Sequence, residues 1–303
     1  MVLRAPREIV SGDVPRPEAN SRDVIVRVTH SGICGTDYKI YSGAIPVSYP
    51  RVMGHEITGE VADPGSSAVR QGDRVIVDPQ LYCGSCFHCR IGQTHLCPKG
   101  ILIGRDVNGG FAELVSAPAS HVFRLPDSID SRTAPLIQVL TTCLHAQQQV
   151  AIRPGETVVV FGLGVTGQLH VQLAKAAGAS TVIGITRSAD KRALAETLGA
   201  DLTLVGDEAA ITKVREATDG RGADVVIETT GMLPSLSSGQ RRLPAFLRFV
   251  FQGAVAHRRA CREERGLPGS DRARRARRCK AGAAREQRHA ALGSRRGGRD
   301  AGI

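Results

Sequence analysis

Between Thr157 and Glu228 the chain alternates short apolar runs with helical periodicity, and few folds tolerate that alternation. "TVVVFG" (157–162) is apolar throughout, as a strand buried on both faces is. Behind it Val165, Leu169, Leu173 and Ala176 recur at steps of three or four, which marks a helix. "STVIGIT", the helix "ADKRALAETLG", the strand "LTLV", the helix "DEAAITKVREAT" and the strand "ADVVIE" continue the pattern. Successive strands joined through helices run parallel, and a parallel sheet needs both faces covered. The expected fold class is α/β, with a doubly wound parallel sheet over 128–232.

The first strand runs into "FGLGVTG", which reads G-x-G-x-x-G at Gly162, Gly164 and Gly167. By itself this motif is weak, but here it follows a buried strand and opens a helix at Val165. Glycines there allow a tight turn and close backbone approach to a pyrophosphate, which the helix N-terminus then meets with free N–H groups. A plain strand–helix turn is the alternative. The second strand ends in "GITRSADKR". NAD sites place an acid about 20 residues past the turn; this chain has Thr186 and then Arg187. A carboxylate repels a 2′-phosphate and a guanidinium pairs with one, so NADP(H) is expected over NAD(H). Otherwise Arg187 stacks on adenine or faces solvent.

Residues 1–127 read differently. "RDVIVRVTH", "HEITGEVAD", "GDRVIVDP", "GGFAELVSAP" and "HVFRLP" are short strands between turn residues, the pattern of an all-β domain. Within it Cys83, Cys86, Cys89 and Cys97 are spaced C-x2-C-x2-C-x7-C. Such short spacings let one loop wrap a tetrahedral zinc ion, and four thiolates leave no open position. A closed structural site is expected; a disulfide pair or idle thiols are the alternative, and His88 and His95 compete as ligands. A second donor set stands upstream, with Cys34 in "GICGTD" and His55 and Glu56 in "GHE".

"GICGTD", "GHE", the four-cysteine loop and the glycine turn, in that order, resemble the zinc-dependent medium-chain alcohol dehydrogenases over residues 1 to about 232. The resemblance implies a GroES-like β-barrel for 1–127 and a Rossmann domain for 128–232. It implies a catalytic zinc on Cys34 and His55, beside the structural one. Asp37 would receive the other ring N–H of His55, and Glu56 would be an occasional ligand. Thr36 would bond the substrate oxygen and start a proton relay, with Lys39 at the position where the family often has His; a solvated lysine is the alternative there. Gln138 stands where the family supplies a third ligand, with Cys143 nearby as a core residue. The implied activity is hydride transfer between a small alcohol, polyol or carbonyl substrate and a nicotinamide cofactor. The family implies a homo-oligomer, either dimer or tetramer.

The charge is divided sharply. Residues 233–303 carry 17 arginines and one lysine against five acids, while the whole chain has a formal net charge of +11. Arg, Ala and Gly dominate this tail, the β-α alternation stops before it, and it has no aromatic interleaving past Phe251. The tail is expected to be disordered, since arginine repulsion outweighs its few apolar residues. GC-rich codons encode those three residue types, which suggests an out-of-frame reading from about 233. The Rossmann domain would then be incomplete, its fourth strand would be a sheet edge, and activity would be impaired. Sequence-blind nucleic-acid binding is the other use of such a tail, and it is not favoured. No apolar run reaches the ~18 residues of a membrane span, and the charged start "MVLRAPREIV" is no signal peptide. A cytoplasmic setting without membrane partners is expected.

Overall fold

The computed structural model describes residues 1–18 and 21–231, together with the strands Phe246–Phe251 and Ala254–Arg259. The chain divides into two compact units, Met1–Thr141 and Thr142–Ile303.

The first unit is built from β1 (Val2–Ala5), β2 (Glu8–Val10), β3 (Asp23–Gly32), α1 (Gly35–Tyr41), β4 (Glu56–Asp63), β5 (Arg74–Val77), β6 (Gln80–Leu81), α2 (Phe87–Arg90), β7 (Ile101–Leu102), β8 (Leu114–Pro118) and β9 (Val122–Arg124). Five strands form one antiparallel sheet in the order β8-β3-β4-β5-β9. Its core is mostly valine: Val24, Val26, Val61, Val75, Val77 and Val115 surround Ile57. Branched side chains suit a pleated surface, and each fully buried valine is worth roughly 1.5–3 kcal/mol. The alternation expected of β3 breaks at its start. Ile25 is buried along with Val24 and Val26, because both faces of the sheet are covered there and the register shifts between Ile25 and Val26.

The pairing of β3 with β4 positions the chemistry. Gly32 at the end of β3 lies opposite Glu56 at the start of β4. The segment leading to Cys34 therefore meets the segment that carries His55. A Cβ on Gly32 would displace the Glu56 carboxylate from its present position.

After α3 (Leu136–Val150), the second unit runs β10 (Thr157–Phe161), α4 (Val165–Ala176), β11 (Thr181–Ile185), α5 (Ala189–Thr197), β12 (Leu202–Leu204), α6 (Ala210–Glu216), β13 (Val225–Glu228), β14 (Phe246–Phe251) and β15 (Ala254–Arg259). The sheet order is β12-β11-β10-β13-β14-β15, parallel except for the last pair. Val158 and Val160 join one core with Val171 and Ile227, while Val159 joins another with Ile183 and Val214. Successive residues of one strand thus feed cores on opposite faces, the hallmark of double winding.

Two expectations need correction. The helix read over 207–218 is shorter, because the Asp207 carboxylate accepts from the Ala209 amide (3.0 Å) and makes a turn before it. At its far end Thr218 Oγ1 donates to the Val214 carbonyl (2.7 Å). Nor is β13 a sheet edge. β14 pairs with it in parallel register, Val225 opposite Arg248 and Ile227 opposite Val250, so its backbone groups have partners on both sides. The run "FLRFVF" is apolar enough for a strand, but the surrounding arginines masked it. The expected disorder, frame change and nucleic-acid role of the tail otherwise lie outside the described residues. No helix among the described residues is long and apolar enough to cross a membrane.

Candidate active site and metal centres

Cys34 is the N-cap of α1, in extended backbone conformation. Its amide donates to Asp37 Oδ2 (2.8 Å), and the Asp37 amide returns a bond to the Cys34 carbonyl (3.0 Å). The other carboxylate oxygen, Oδ1, lies 3.4 Å from His55 Nδ1, with both side chains almost fully buried. Asp37 therefore anchors the backbone of Cys34 and orients the ring of His55 with separate oxygens. Neither Asp37 Oδ1 nor His55 Nδ1 has a well-formed hydrogen bond, so the contact is an ion-pair approach.

Donor atoms of Cys34, His55 and Glu56 all lie within 4.8 Å of one another. Burial opposes ionisation of the Cys34 thiol, but hydrogen bonds from His55 and Thr36 outweigh it and lower the pKa. Burial also opposes the charged His55 ring, yet Asp37 and Cys34 raise it to about 10. Burial pushes the Glu56 carboxyl up. A metal ion bound there would compete with protons for the lone pairs of Cys34 and His55. One thiolate, one imidazole and one carboxylate form a donor set that suits zinc and leaves a position open. The residues therefore fit a catalytic zinc ion.

Thr36 is half-buried in the first turn of α1 and bonds the Cys34 sulfur. Lys39 is exposed on the last turn, its carbonyl accepting from Ser42 Oγ (3.1 Å) and the Ile45 amide (3.0 Å). Gln138 is half-buried near the start of α3, its carbonyl accepting from Thr141 Oγ1 (2.7 Å). Cys143 is 1% exposed and packs in α3. Glu56, an occasional ligand by resemblance, brings to the group with Cys34 and His55 a carboxylate that Gln138 does not have, and the pairing of Gly32 with Glu56 sets it there.

The four-cysteine loop closes on itself. Cys83 follows β6, Cys86 caps α2, Cys89 lies within α2, and Cys97 ends the 3-10 turn Thr94–Leu96. The Sγ separations are 4.0 Å for Cys83–Cys89, 3.5 Å for Cys86–Cys89 and 3.9 Å for Cys86–Cys97. A disulfide needs about 2.05 Å. Four sulfurs held tetrahedrally about 2.3 Å from one zinc ion lie about 3.8 Å apart. The spacing fits the ion, and all four thiols are free of disulfides. Amides of Ser85 and Cys86 hold the Cys83 thiol down to about 5. Desolvation, followed by the sulfur of Cys86, pushes Cys89 up to about 12. Four thiolates resist joint ionisation until a dication balances them. The four sulfurs group without His88 or His95.

In the second unit, Gly162 turns the chain at φ 84° between β10 and α4. A Cβ on Gly167 would overlap the Gly162 carbonyl oxygen, so helix and turn pack with no room to spare. At Gly164, the N-cap of α4, a Cβ would meet nothing within 4 Å. That opening lies over the free amides of the first turn of α4, where Val165 is 57% exposed, and it fits a dinucleotide pyrophosphate. β10 lies between β11 and β13, so the turn sits at the point where the strand order reverses.

Three supporting residues were not read from the sequence. Thr229 Oγ1 lies 3.0 Å from the Phe161 carbonyl and 2.8 Å from that of Gly162, tying the end of β13 to the turn. Gln168 Nε2 donates to the Leu163 carbonyl (3.2 Å) and to that of Lys191 (2.8 Å). Arg192 Nη1 donates to the carbonyls of Thr186 (3.1 Å) and Arg187 (3.0 Å), while Arg187 itself is exposed. The available signal was the polar "TT" ending the fourth strand beside the glycine turn.

Residues 20–127 match the alcohol dehydrogenase GroES-like domain family, and residues 164–268 match the zinc-binding dehydrogenase family. A zinc-type alcohol dehydrogenase-like protein of Haemophilus influenzae is 37% identical over 234 residues, 76% of this chain and 68% of its own length. The chain belongs to the zinc-type medium-chain alcohol dehydrogenases. Within this family, the sorbitol dehydrogenase of Bacillus subtilis is 34% identical over 245 residues, 78% of this chain and 69% of its own. A zinc-binding dehydrogenase of Sinorhizobium meliloti solved with NADP is 38% identical, with a TM-score of 0.72 over 78% of this chain and 70% of its own. The second family match extends to residue 268, farther than the resemblance read from motifs. Membership makes this chain an alcohol-oxidising, nicotinamide- and zinc-dependent dehydrogenase by type.

Proposed function

We propose that the chain oxidises a small alcohol or polyol, or reduces the matching carbonyl, with NADP(H) favoured over NAD(H). The observation that carries this reading is the meeting of Cys34, His55 and Glu56, with Asp37 behind them. Cys34 and His55, with Glu56, would hold a catalytic zinc ion; Cys83, Cys86, Cys89 and Cys97 would hold a structural one.

A zinc ion bound at Cys34 and His55 would supply Lewis acidity to an alcohol oxygen. A nicotinamide would supply the hydride chemistry. The chain's own residues do the rest. Asp37 keeps the Nδ1 face of His55 occupied, so the ring presents Nε2 to the open position. Thr36, beside Cys34, would accept the hydroxyl proton of the substrate as it releases its own to solvent at the exposed side of α1. Gly162, Gly164, Val165 and Gly167 seat the pyrophosphate. Thr186 and Arg187 face the adenosine ribose, and Arg192 fixes that loop by capping its carbonyls. Six free cysteines among the described residues suit a reducing, cytoplasmic setting. A dimer or tetramer is the expected assembly.

Reduction of NADP+ and NAD+ is measured with a panel of alcohols and polyols. Turnover of at least one polyol, lost in Cys34→Ala, supports the reading; no turnover by zinc-loaded, folded protein sinks it. Arg187→Ala should cost about 1.5–3 kcal/mol for NADPH and leave NADH unchanged. Equal losses for both would assign Arg187 to adenine or to the fold.

A further inference from the structure

Gln168 lies one turn into α4 and is 7% exposed. Its amide reaches two segments at once. Nε2 donates to the Leu163 carbonyl (3.2 Å), inside the glycine turn, and to the Lys191 carbonyl (2.8 Å), in the first turn of α5. The opposite orientation would set Oε1 against two carbonyl oxygens, so the NH2 side must face them. Oε1 is left buried without a hydrogen-bond partner. An unpaired buried acceptor costs stability that an apolar side chain would not. Packing alone would favour an apolar residue here, so the amide is accounted for by its two bonds.

The next residue of α5 grips a third segment. Arg192 Nη1 donates to the carbonyls of Thr186 (3.1 Å) and Arg187 (3.0 Å), and the Gly206 amide adds a second donor to the Thr186 carbonyl (3.3 Å). Ser188 caps the same helix, its Oγ accepting from the Lys191 amide (3.4 Å). The glycine turn, the first turn of α5 and the loop after β11 are thus joined in series. Leu163 closes the chain of contacts, because its side chain lies over Gly184 of β11, where a Cβ would come 3.0 Å from a Leu163 methyl.

These segments flank the two ends of one half of a dinucleotide. The start of α4 meets a pyrophosphate, and Thr186 and Arg187 follow the neighbouring parallel strand, where such a fold binds the adenosine ribose. A ligand that touches both places gains from the second contact only when their spacing matches it.

We propose that Gln168 is a positioning residue for the cofactor: with Arg192 it forms a brace that sets the distance between the pyrophosphate turn and the ribose loop. Its amide is buried behind both segments and acts through them. This deepens the dehydrogenase reading and rests on it, since that reading assigns the two segments to a nicotinamide dinucleotide.

Gln168→Met keeps the length and the burial and removes both bonds. Calorimetric titration of the zinc-loaded full chain compares ligands that span both segments, NADP+ and NAD+, with ligands that reach one each, inorganic pyrophosphate and adenosine 2′-monophosphate. Gln168→Met should bind the spanning ligands at least about tenfold more weakly and the fragments as wild type does. The loss should be alike for NADP+ and NAD+, which separates the brace from Arg187, whose charge acts on the 2′-phosphate. Arg192→Met serves if Gln168→Met fails to fold: NADP+ should again weaken about tenfold while pyrophosphate binding stays unchanged. The double variant should lose little more than either single one, because either change already opens the brace. Equal losses for spanning ligands and fragments would assign Gln168 to the fold alone and overturn the proposal, as would no loss at all. Wild type that binds none of the four ligands overturns the dinucleotide reading itself, and the brace with it. Wild type that binds them, with a variant that loses nothing, removes the brace and leaves that reading standing.

Discussion

His55 Nδ1 lies 3.4 Å from Asp37 Oδ1, and the other oxygen of the same carboxylate holds the Cys34 amide at 2.8 Å. One buried aspartate thus couples the two donors that the chain brings together from 21 residues apart. Asp37→Asn keeps the shape and removes the charge. Zinc affinity at this site should fall about 10–100-fold, the usual effect of removing such a support. Competition with a chromophoric chelator measures it, with the four-cysteine site as internal reference. An unchanged affinity would show that Asp37 serves the α1 cap alone.

The four-cysteine loop predicts a different response. Around it the described structure has only the two-residue strands β6 and β7, the single-turn α2 and a 3-10 turn. Cys86→Ser should release one zinc equivalent per chain and lower the melting temperature, because little else organises the loop. Elemental analysis and thermal denaturation, run side by side, read both effects. Loss of the metal with no thermal shift would mean that the loop holds its shape unaided.

Gly167→Ala should abolish dinucleotide binding. A methyl group there collides with the Gly162 carbonyl oxygen, so α4 must move away from the turn. Overpacking of this kind costs about 1–3 kcal/mol of stability. Fluorescence titration of NADPH, with urea unfolding in parallel, separates lost binding from lost folding. Thr229→Val should weaken binding less, since it removes the hydroxyl anchored at Phe161 and Gly162 but no backbone.

Acid stability should depend on His170. Burial pushes its pKa down from 6.5 to about 4, and Gln147 Nε2 lies 3.0 Å from its Nδ1. The folded state therefore binds this proton more weakly than the unfolded chain. The contribution is fully present above pH about 6.5 and is lost as pH falls towards 4, on the order of 3 kcal/mol in all. His170→Gln should flatten the stability profile between pH 4 and 6.5 in chemical denaturation. A profile as steep as wild type would place the acid sensitivity elsewhere.

What could be read from the sequence was local. The β-α alternation survives without coordinates because a buried strand and an amphipathic helix each impose a period on neighbouring residues. The glycine turn and the four-cysteine loop are legible because their working parts lie within a few residues of one another. Thr229 was missed, and Glu56 was placed only by resemblance, for the opposite reason. Thr229 reaches the turn only because β13 lies beside β10, and Glu56 joins Cys34 only through the β3–β4 register. The two jobs of Asp37 likewise depend on what folds against it. β14 was lost because composition averages over a tail, whereas a strand needs only six suitable residues and an open neighbour. Sequence alone determined which chemical groups this chain owns and how each element forms. Tertiary structure decided which groups meet, since strand pairing and burial bring together residues whose separation along the chain carries no signal of contact.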